Sequence, residues 1–100
     1  MIQHVFIVSD GTGGTAKHAL KAALVQFEFV NVQTHLRQNI RTEEQLLDVV
    51  LEAHKIRAVI IHSLVSKNLR HFILDKGLLY ELVTIDIMGP LLAQLSLQFE

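Results

Sequence analysis

The feature that most constrains this chain is a glycine-rich turn between a strand-like run and a helix-like run. The run His4–Val8 is short, apolar and rich in β-branched residues, as is typical of a buried parallel strand. After the turn, apolar residues recur every three or four positions, as on one face of a helix: Ala16, Ala19, Leu20, Ala23, Leu24 and Phe27. The turn itself reads Ser9, Asp10, Gly11, Thr12, Gly13, Gly14 and Thr15. Such a turn presents free backbone N–H groups and the positive end of a helix dipole, so it predicts a site for a phosphate or carboxylate.

The rest of the chain alternates between strand-like and helix-like runs. The sequence predicts further strands at Phe29–Leu36, Arg57–Leu64 and Leu82–Ile87. Between them, a capping box of Thr42 and Gln45 opens a helix that runs to about Lys55. A third helix is predicted to start at Ser66 and to stop at Lys76-Gly77, and a last one to start at Gly89-Pro90. The apolar residues expected to face inward from this last helix are Leu91, Leu92, Leu95 and Phe99.

This alternation predicts a single α/β domain over residues 1–100. Strands that alternate with helices imply a three-layer, doubly wound fold, with a four-stranded parallel sheet covered on both faces. Right-handed crossovers favour the strand order 2-1-3-4, as in flavodoxin-like and Rossmann-like domains. In that order the carboxyl ends of the first and third strands diverge into a crevice, where such sheets bind ligands. The glycine-rich turn follows the first of these strands.

Composition excludes several classes of function. A formal net charge of −1 argues against a nucleic-acid binder that works by charge. The absence of cysteine excludes disulfides and thiolate chemistry, and fits a reducing compartment. No apolar run approaches the roughly 20 residues that span a bilayer. We therefore expect a cytoplasmic protein. The histidines show no spacing typical of a zinc site, so we expect no bound metal.

Three residues near the predicted crevice are secondary candidates. His62 and Ser63 end the third strand, and since neighbours on a strand face opposite ways, one of them is expected to point into the crevice. Arg70 is one of four cations that could line the crevice walls for a phosphorylated ligand, the others being Arg37, Arg41 and Lys67. Each of these residues also has a plain structural interpretation, as a packed histidine or a solvated surface cation.

The turn is also compatible with other kinds of protein. Gly11 to Ala16 satisfies G-x-G-x-x-A, one form of the dinucleotide fingerprint, but no acidic residue follows the second strand. The turn also looks like the phosphate loop of flavodoxins, which leaves a nucleotide- or FMN-binding domain as an alternative. A third interpretation is a non-catalytic interaction module, in which the glycines only allow a tight corner and Thr12 or Thr15 caps the helix.

Three stretches together resemble one protein family. Val8-Ser9-Asp10-Gly11-Thr12 with Thr15-Ala16 resembles the S-D-[GS]-T-x-x-T-A opening of the regulatory proteins of pyruvate, phosphate dikinase and phosphoenolpyruvate synthase, also called the kinase-pyrophosphorylase family. His62-Ser63-Leu64-Val65 with Leu69-Arg70 looks like that family's S-T-L-V…L-R segment. Asp86 and Gly89-Pro90-Leu91-Leu92 resemble its D…G-P-L-L segment. The order and spacing of these stretches hold along the whole chain.

The resemblance implies a regulator that phosphorylates a threonine of its target enzyme with ADP and removes that phosphate by phosphorolysis, releasing pyrophosphate. It implies ADP, phosphate or pyrophosphate as ligands of the complete protein, and the dikinase or the synthase as target. Members of the family are longer and carry a P-loop in a later region, whereas residues 1–100 contain no such segment. We therefore expect an amino-terminal domain that is inactive alone. It would shape one wall of the active-site region, recognise the target or carry a homodimer contact.

Overall fold

The computed structural model describes residues 1–100 as four strands that alternate with four helices. The strands are β1 (Ile2–Val8), β2 (Asn31–Arg37), β3 (Val59–His62) and β4 (Thr84–Asp86). The helices are α1 (Gly14–Leu24), α2 (Glu43–Lys55), α3 (Lys67–Leu79) and α4 (Gly89–Phe99). The predicted order of elements is confirmed along the whole chain.

All four strands form one parallel sheet in the order β2-β1-β3-β4, which confirms the predicted fold class and strand order. The register places Val8 beside Arg37 of β2 on one side and beside His62 of β3 on the other. The chain therefore leaves β1 and β3 at neighbouring points on the carboxyl edge of the sheet. These are the two strands between which the direction of winding reverses, as a ligand site in this kind of fold requires.

The two faces of the sheet are covered unequally. The larger cluster of buried side chains, which joins the sheet to α2 and α3, is Phe6, Val8, Ile40, Leu46, Val49, Val50, Ala53, Ala58, Ile60, Leu64, Leu69 and Ile73. The smaller cluster, which joins the sheet to α1, is Val5, Ile7, Ala16 and Ile61. Because burial of apolar surface is the main favourable contribution to folding, the α2–α3 side supplies most of the stability of the domain.

Helix starts follow the predicted chemistry. The Thr42 hydroxyl accepts a hydrogen bond from the Gln45 amide at 3.1 Å, and the Gln45 side chain accepts one from the Thr42 amide at 3.2 Å. The capping box is thus confirmed. The Ser66 hydroxyl caps α3 in a similar way by accepting from the Leu69 amide. Each cap satisfies amide groups that the first turn of a helix leaves without a backbone partner.

Several element boundaries and one packing prediction were wrong: β3 and β4, for example, are shorter than the predicted strands Arg57–Leu64 and Leu82–Ile87. Helix α1 ends at Leu24, so Phe27 lies beyond it and is exposed, and β2 begins only at Asn31 because Phe29 takes a left-handed backbone conformation (φ 62°). Helix α4 has no buried residue, although its apolar residues were expected to face inward. No helix in the structure has both the length and the apolar character needed to cross a bilayer.

Gly77 corrects the predicted end of the third helix. The sequence predicted a stop at Lys76-Gly77, but α3 continues to Leu79 and Gly77 is buried within it. A Cβ built on Gly77 would lie 2.7 Å from the Thr84 Cγ2 atom of β4. Glycine is present here because α3 approaches β4 too closely for any side chain, and not because the helix ends.

We expect Gly77→Ala to lower the free energy of unfolding by about 1–2 kcal/mol, because the clash with Thr84 outweighs the roughly 1 kcal/mol that alanine gains in helix propensity. Urea denaturation of the variant measures this loss. Thr84→Ser removes the clashing methyl group, so the double variant should recover most of the lost stability. A double variant no more stable than Gly77→Ala alone would contradict the proposed packing.

Candidate functional site

A cleft of about 200 Å³ lies at the carboxyl edge of the sheet, where β1 and β3 end. It is lined by all seven residues of the glycine-rich turn together with three residues from later in the chain: Ser9, Asp10, Gly11, Thr12, Gly13, Gly14, Thr15, Ser63, Val65 and Met88. The turn therefore borders the tip of β3, as the sequence predicts. From here on, "the cleft" means the space lined by these ten residues.

Backbone hydrogen bonds hold the first part of the turn against both neighbouring strands. The Ser9 amide donates to the Arg37 carbonyl at 3.1 Å, and the Ser63 amide donates to the Val8 carbonyl at 3.0 Å. The Asn39 amide, in the loop after β2, donates to the Gly11 carbonyl at 2.8 Å. These bonds prolong the sheet pairing into the loops. The floor of the cleft is consequently fixed by the same register that aligns the strands.

Gly13 is the position in the turn that requires glycine for conformational reasons. It immediately precedes α1 with φ at 86°, in the left-handed region that favours glycine. A Cβ at this position would also lie 2.8 Å from the Leu36 Cδ1 atom. Gly13 is the N-cap and no side chain caps α1, so the interpretation with Thr12 or Thr15 as cap is wrong.

Gly11 and Gly14 are not required by the backbone or by crowding. Neither has a positive φ, and a Cβ on either would make only an ordinary contact of 3.7 Å, with the Ser9 and Thr12 hydroxyl oxygens respectively. Both residues line the cleft. The absence of their side chains leaves the backbone of the turn accessible from the cleft.

The first turn of α1 offers hydrogen-bond donors to the cleft. The amides of Gly14 and Thr15 precede the first residues that can bond within the helix, and they donate no hydrogen bond within the chain. The first turn contains no acidic residue to neutralise the positive end of the helix dipole. Thr12 and Thr15 are exposed, and their hydroxyls make no hydrogen bond.

The carboxylate of Asp10 fastens the turn to the start of α3. Its Oδ2 atom accepts hydrogen bonds from the Val65 amide at 3.0 Å and the Ser66 amide at 2.9 Å. The Ser9 hydroxyl accepts in turn from the Gly11 amide at 3.0 Å. Two polar side chains of the predicted site thus serve to shape it. Asp10 links two loops that are 55 residues apart in the sequence.

The structure separates the two secondary candidates at the end of β3. Ser63 lines the cleft, whereas His62 is 2% exposed, does not line it, and has no hydrogen-bond partner for its Nδ1 atom. Burial lowers the pKa of His62 below its ordinary value of 6.5, and the charge of Arg70 adds to this effect. The carboxylates of Asp86 and Asp10 oppose it. The ring is therefore neutral at physiological pH.

Arg70 does not line the cleft. One of its guanidinium nitrogens donates to the Val65 carbonyl, and its Nε atom lies 4.0 Å from the Asp86 Oδ2 atom. The other carboxylate oxygen of Asp86 accepts from the Met88 amide at 3.1 Å and the Gly89 amide at 2.7 Å, and so shapes the entry into α4. Arg70 and Asp86 thus support the loops behind Val65 and Met88.

Sequence reasoning missed two residues that line the cleft, Val65 and Met88. Each follows a strand. Val65 belongs to a stretch that resembles the family and Met88 lies between the two parts of another, but both residues are apolar and neither pattern pointed to a ligand. Their common signal is position, because each lies within three residues of the end of a strand. In a parallel sheet all such loops gather at one edge.

A larger cavity, of about 430 Å³, lies at the opposite edge, where β3 and β4 begin. It is lined by His54, Arg57, Ala58, Val59, Tyr80, Glu81, Leu82 and Val83. The rings of His54 and Tyr80 pack against each other there, with centroids 5.3 Å apart. Ligands of open α/β sheets bind at the carboxyl ends of strands, so the smaller cleft is the better candidate.

Comparisons with known proteins all point to the same family. A family model described as kinase/pyrophosphorylase matches residues 5–100. The chain is 34% identical over 98 residues to "Pyruvate, phosphate dikinase regulatory protein 1, chloroplastic" of Arabidopsis thaliana, a match that covers 92% of this chain and 24% of the relative.

Two bacterial proteins named "Putative pyruvate, phosphate dikinase regulatory protein" are also similar to this chain. The one from Geotalea uraniireducens is 36% identical over 95 residues, covering 95% of this chain and 35% of the relative. The one from Desulfitobacterium hafniense is 35% identical over 92 residues, covering 92% of this chain and 34% of the relative. The chain therefore spans about a quarter to a third of the length of these relatives.

We expect Asp10→Ala to lower the free energy of unfolding by about 2–4 kcal/mol, because it removes a charged acceptor from two amides. Asp10→Asn keeps an acceptor oxygen, so it should lose less. Asp75→Ala, which removes an exposed carboxylate from α3, is the matched control. Urea denaturation of the three variants gives the comparison. Equal losses for Asp10→Ala and Asp75→Ala would show that the carboxylate does not join the loops.

We expect the imidazole of His62 to titrate below pH 6.5 in the folded protein. Because the unfolded chain binds this proton more readily, the stability that depends on neutral His62 is complete above pH 6.5 and is lost as the pH falls towards the folded-state pKa. NMR titration of the ring protons measures the midpoint, and a His62→Asn variant identifies the resonance. A midpoint at or above 6.5 would contradict the effect of burial.

Proposed function

Because this chain belongs to the kinase/pyrophosphorylase family, we propose that it forms part of a regulator of pyruvate, phosphate dikinase in which the cleft binds phosphate groups. The names of the relatives give the dikinase as the regulated enzyme. Phosphoenolpyruvate synthase is the other target that the sequence resemblance implies. The regulation proposed consists of two separate reactions: ADP phosphorylates a threonine of the target and leaves AMP, and inorganic phosphate later removes that phosphoryl group, which releases pyrophosphate and restores the threonine.

The small molecules of these two reactions share one chemical requirement. ADP, phosphate and pyrophosphate all present phosphate oxygens, which are bound well by backbone amides at the start of a helix. The amides of Gly14 and Thr15 lack acceptors within the chain and border the cleft. This pair of unused amides is the observation that carries the proposal.

The glycines support the same proposal. Gly13 is needed to turn the chain, but Gly11 and Gly14 have room for a side chain. A methyl group at Gly14 would project close to the Thr12 hydroxyl on the wall of the cleft. Glycine at these two positions keeps a path open between a ligand and the backbone.

The isolated domain should bind anions weakly and catalyse no transfer. No lysine or arginine lines the cleft, so the positive potential comes from amides and the helix dipole alone. The negative charge of the Asp10 carboxylate, which also lines the cleft, is partly offset by the two backbone amides that donate hydrogen bonds to it. We expect a dissociation constant of about 1 mM for pyrophosphate, and a separate P-loop region of the complete protein to supply the catalytic grip on phosphate.

Titration with pyrophosphate, ADP and phosphate tests this proposal by NMR. The amide signals of Gly14 and Thr15 should shift more than those of other residues. Thr15→Asp should weaken binding at least about tenfold, because a carboxylate would then lie beside the bound anion. The same substitution should leave the fold intact, since an acidic residue suits the first turn of a helix.

Gln26→Glu is the control, since it adds the same charge at an exposed position beyond the other end of α1. It should leave the affinity nearly unchanged. Equal weakening by both variants would mean that net charge alone sets the binding. No shift of the Gly14 and Thr15 amides with any of the three ligands would refute the phosphate site and leave an interaction module as the remaining interpretation.

A further inference from the structure

Helix α4 has a composition that does not match its surroundings. Its eleven residues include no charged side chain, and four leucines and a phenylalanine lie on more than one face. A helix that is apolar around most of its circumference is normally buried. Yet α4 buries no residue, and Leu91, Leu97 and Phe99 are exposed over more than half of their surface.

The adjoining edge of the sheet is also uncovered. Strand β4 pairs with β3 on one side only, so the backbone N–H and C=O groups along its other side have no strand partner. Val83 and Ile85 are exposed beside this edge. On α3, which packs against β4, Leu74, Leu78 and Leu79 are exposed as well. Exposed apolar side chains beside an open strand edge are typical of interaction sites.

The topology indicates what kind of segment fits this surface. In a parallel α/β sheet, a helix that follows a strand leads by a right-handed crossover to another parallel strand. Helix α4 follows β4, the edge strand, as α3 follows β3. A strand that continued the sheet beyond β4 would pair with the open edge and widen the sheet surface on which α4 can pack. A single added strand would thus pair the open edge of β4 and help to bury the apolar side chains of α4.

We propose that in the longer polypeptides of this family a fifth parallel strand pairs with β4, and that this strand brings α4 onto the sheet. In these relatives the strand comes from outside the matched quarter to third of their length, since they extend well beyond the region that this chain covers. Its side chains are expected to be apolar, to match Ile85 and the leucines of α4 and α3. The proposal goes beyond the phosphate site and does not depend on it.

A chimera tests this proposal. Residues 1–100 replace the matched segment of the Geotalea uraniireducens relative, and hydrogen exchange is compared with that of the 100-residue chain. The amides of β4 and α4 should exchange at least roughly a hundredfold more slowly in the chimera. If the chimera is insoluble, the same comparison is made for the corresponding segment of the intact relative. Unchanged exchange in this segment would overturn the proposal.

A matched pair of substitutions gives a second readout. Leu95 of α4 and Leu51 of α2 are both 38% exposed in this chain, although only Leu95 lies on the uncovered surface. In the chimera, Leu95→Gln should lower the melting temperature by about 3 °C or more beyond the effect of Leu51→Gln. In the 100-residue chain Leu95→Gln should have no larger effect than Leu51→Gln. A larger effect there would mean that α4 already packs on this domain.

A second copy of the chain is the rival occupant of this surface. It would pair two β4 edges about a twofold axis, and this pairing would be antiparallel. Analytical ultracentrifugation of the 100-residue chain distinguishes the two cases when combined with hydrogen exchange. A dimer in which the β4 amides are already protected would overturn the proposal in favour of self-association. Exchange of β4 in the 100-residue chain that stays rapid as concentration rises supports the proposal.

Discussion

The parallel pairing of β1 with β3 is the constraint on which the rest of the domain depends. It brings together loops that are more than 50 residues apart in the sequence, and the bond from the Ser63 amide to the Val8 carbonyl extends it past the end of both strands. Asp10 then joins the loop after β1 to the first residues of α3. Without this pairing the start of α1 would have no opposite wall, and the cleft would not exist.

Residues of the same type in the glycine-rich turn have different roles in the structure. Gly13 provides the backbone conformation, whereas Gly11 and Gly14 leave the backbone open to the cleft. Ser9 and Asp10 use their side-chain oxygens to hold loops in place, whereas the Thr12 and Thr15 hydroxyls remain free. A mutation in this short segment will therefore affect either the architecture or the accessible surface, and its position decides which.

The sequence predicted those features that depend on local patterns. The order of elements, the sheet topology, the Thr42–Gln45 capping box and the position of the turn beside Ser63 follow from periodicity, capping chemistry and handedness. Features that depend on distant contacts were missed. Gly77 resembles a helix end until Thr84 is placed against it, and the partners of Asp10 lie 55 and 56 residues away. No local rule identifies such neighbours.

The prediction that the apolar residues of α4 face inward failed for a different reason, which concerns how the helix would be packed on the sheet. Its apolar pattern does predict burial, but a packed helix needs a sheet surface of sufficient width, and β4 contributes only three residues at the edge. Most of the buried apolar side chains lie in the core beneath α2 and α3, to which α4 contributes none. The cleft lies at the carboxyl edge between β1 and β3, whereas the uncovered surface lies along the outer side of β4. Thr15 and Leu95 lie in these two different regions, which meet at Met88, the residue that both lines the cleft and precedes α4.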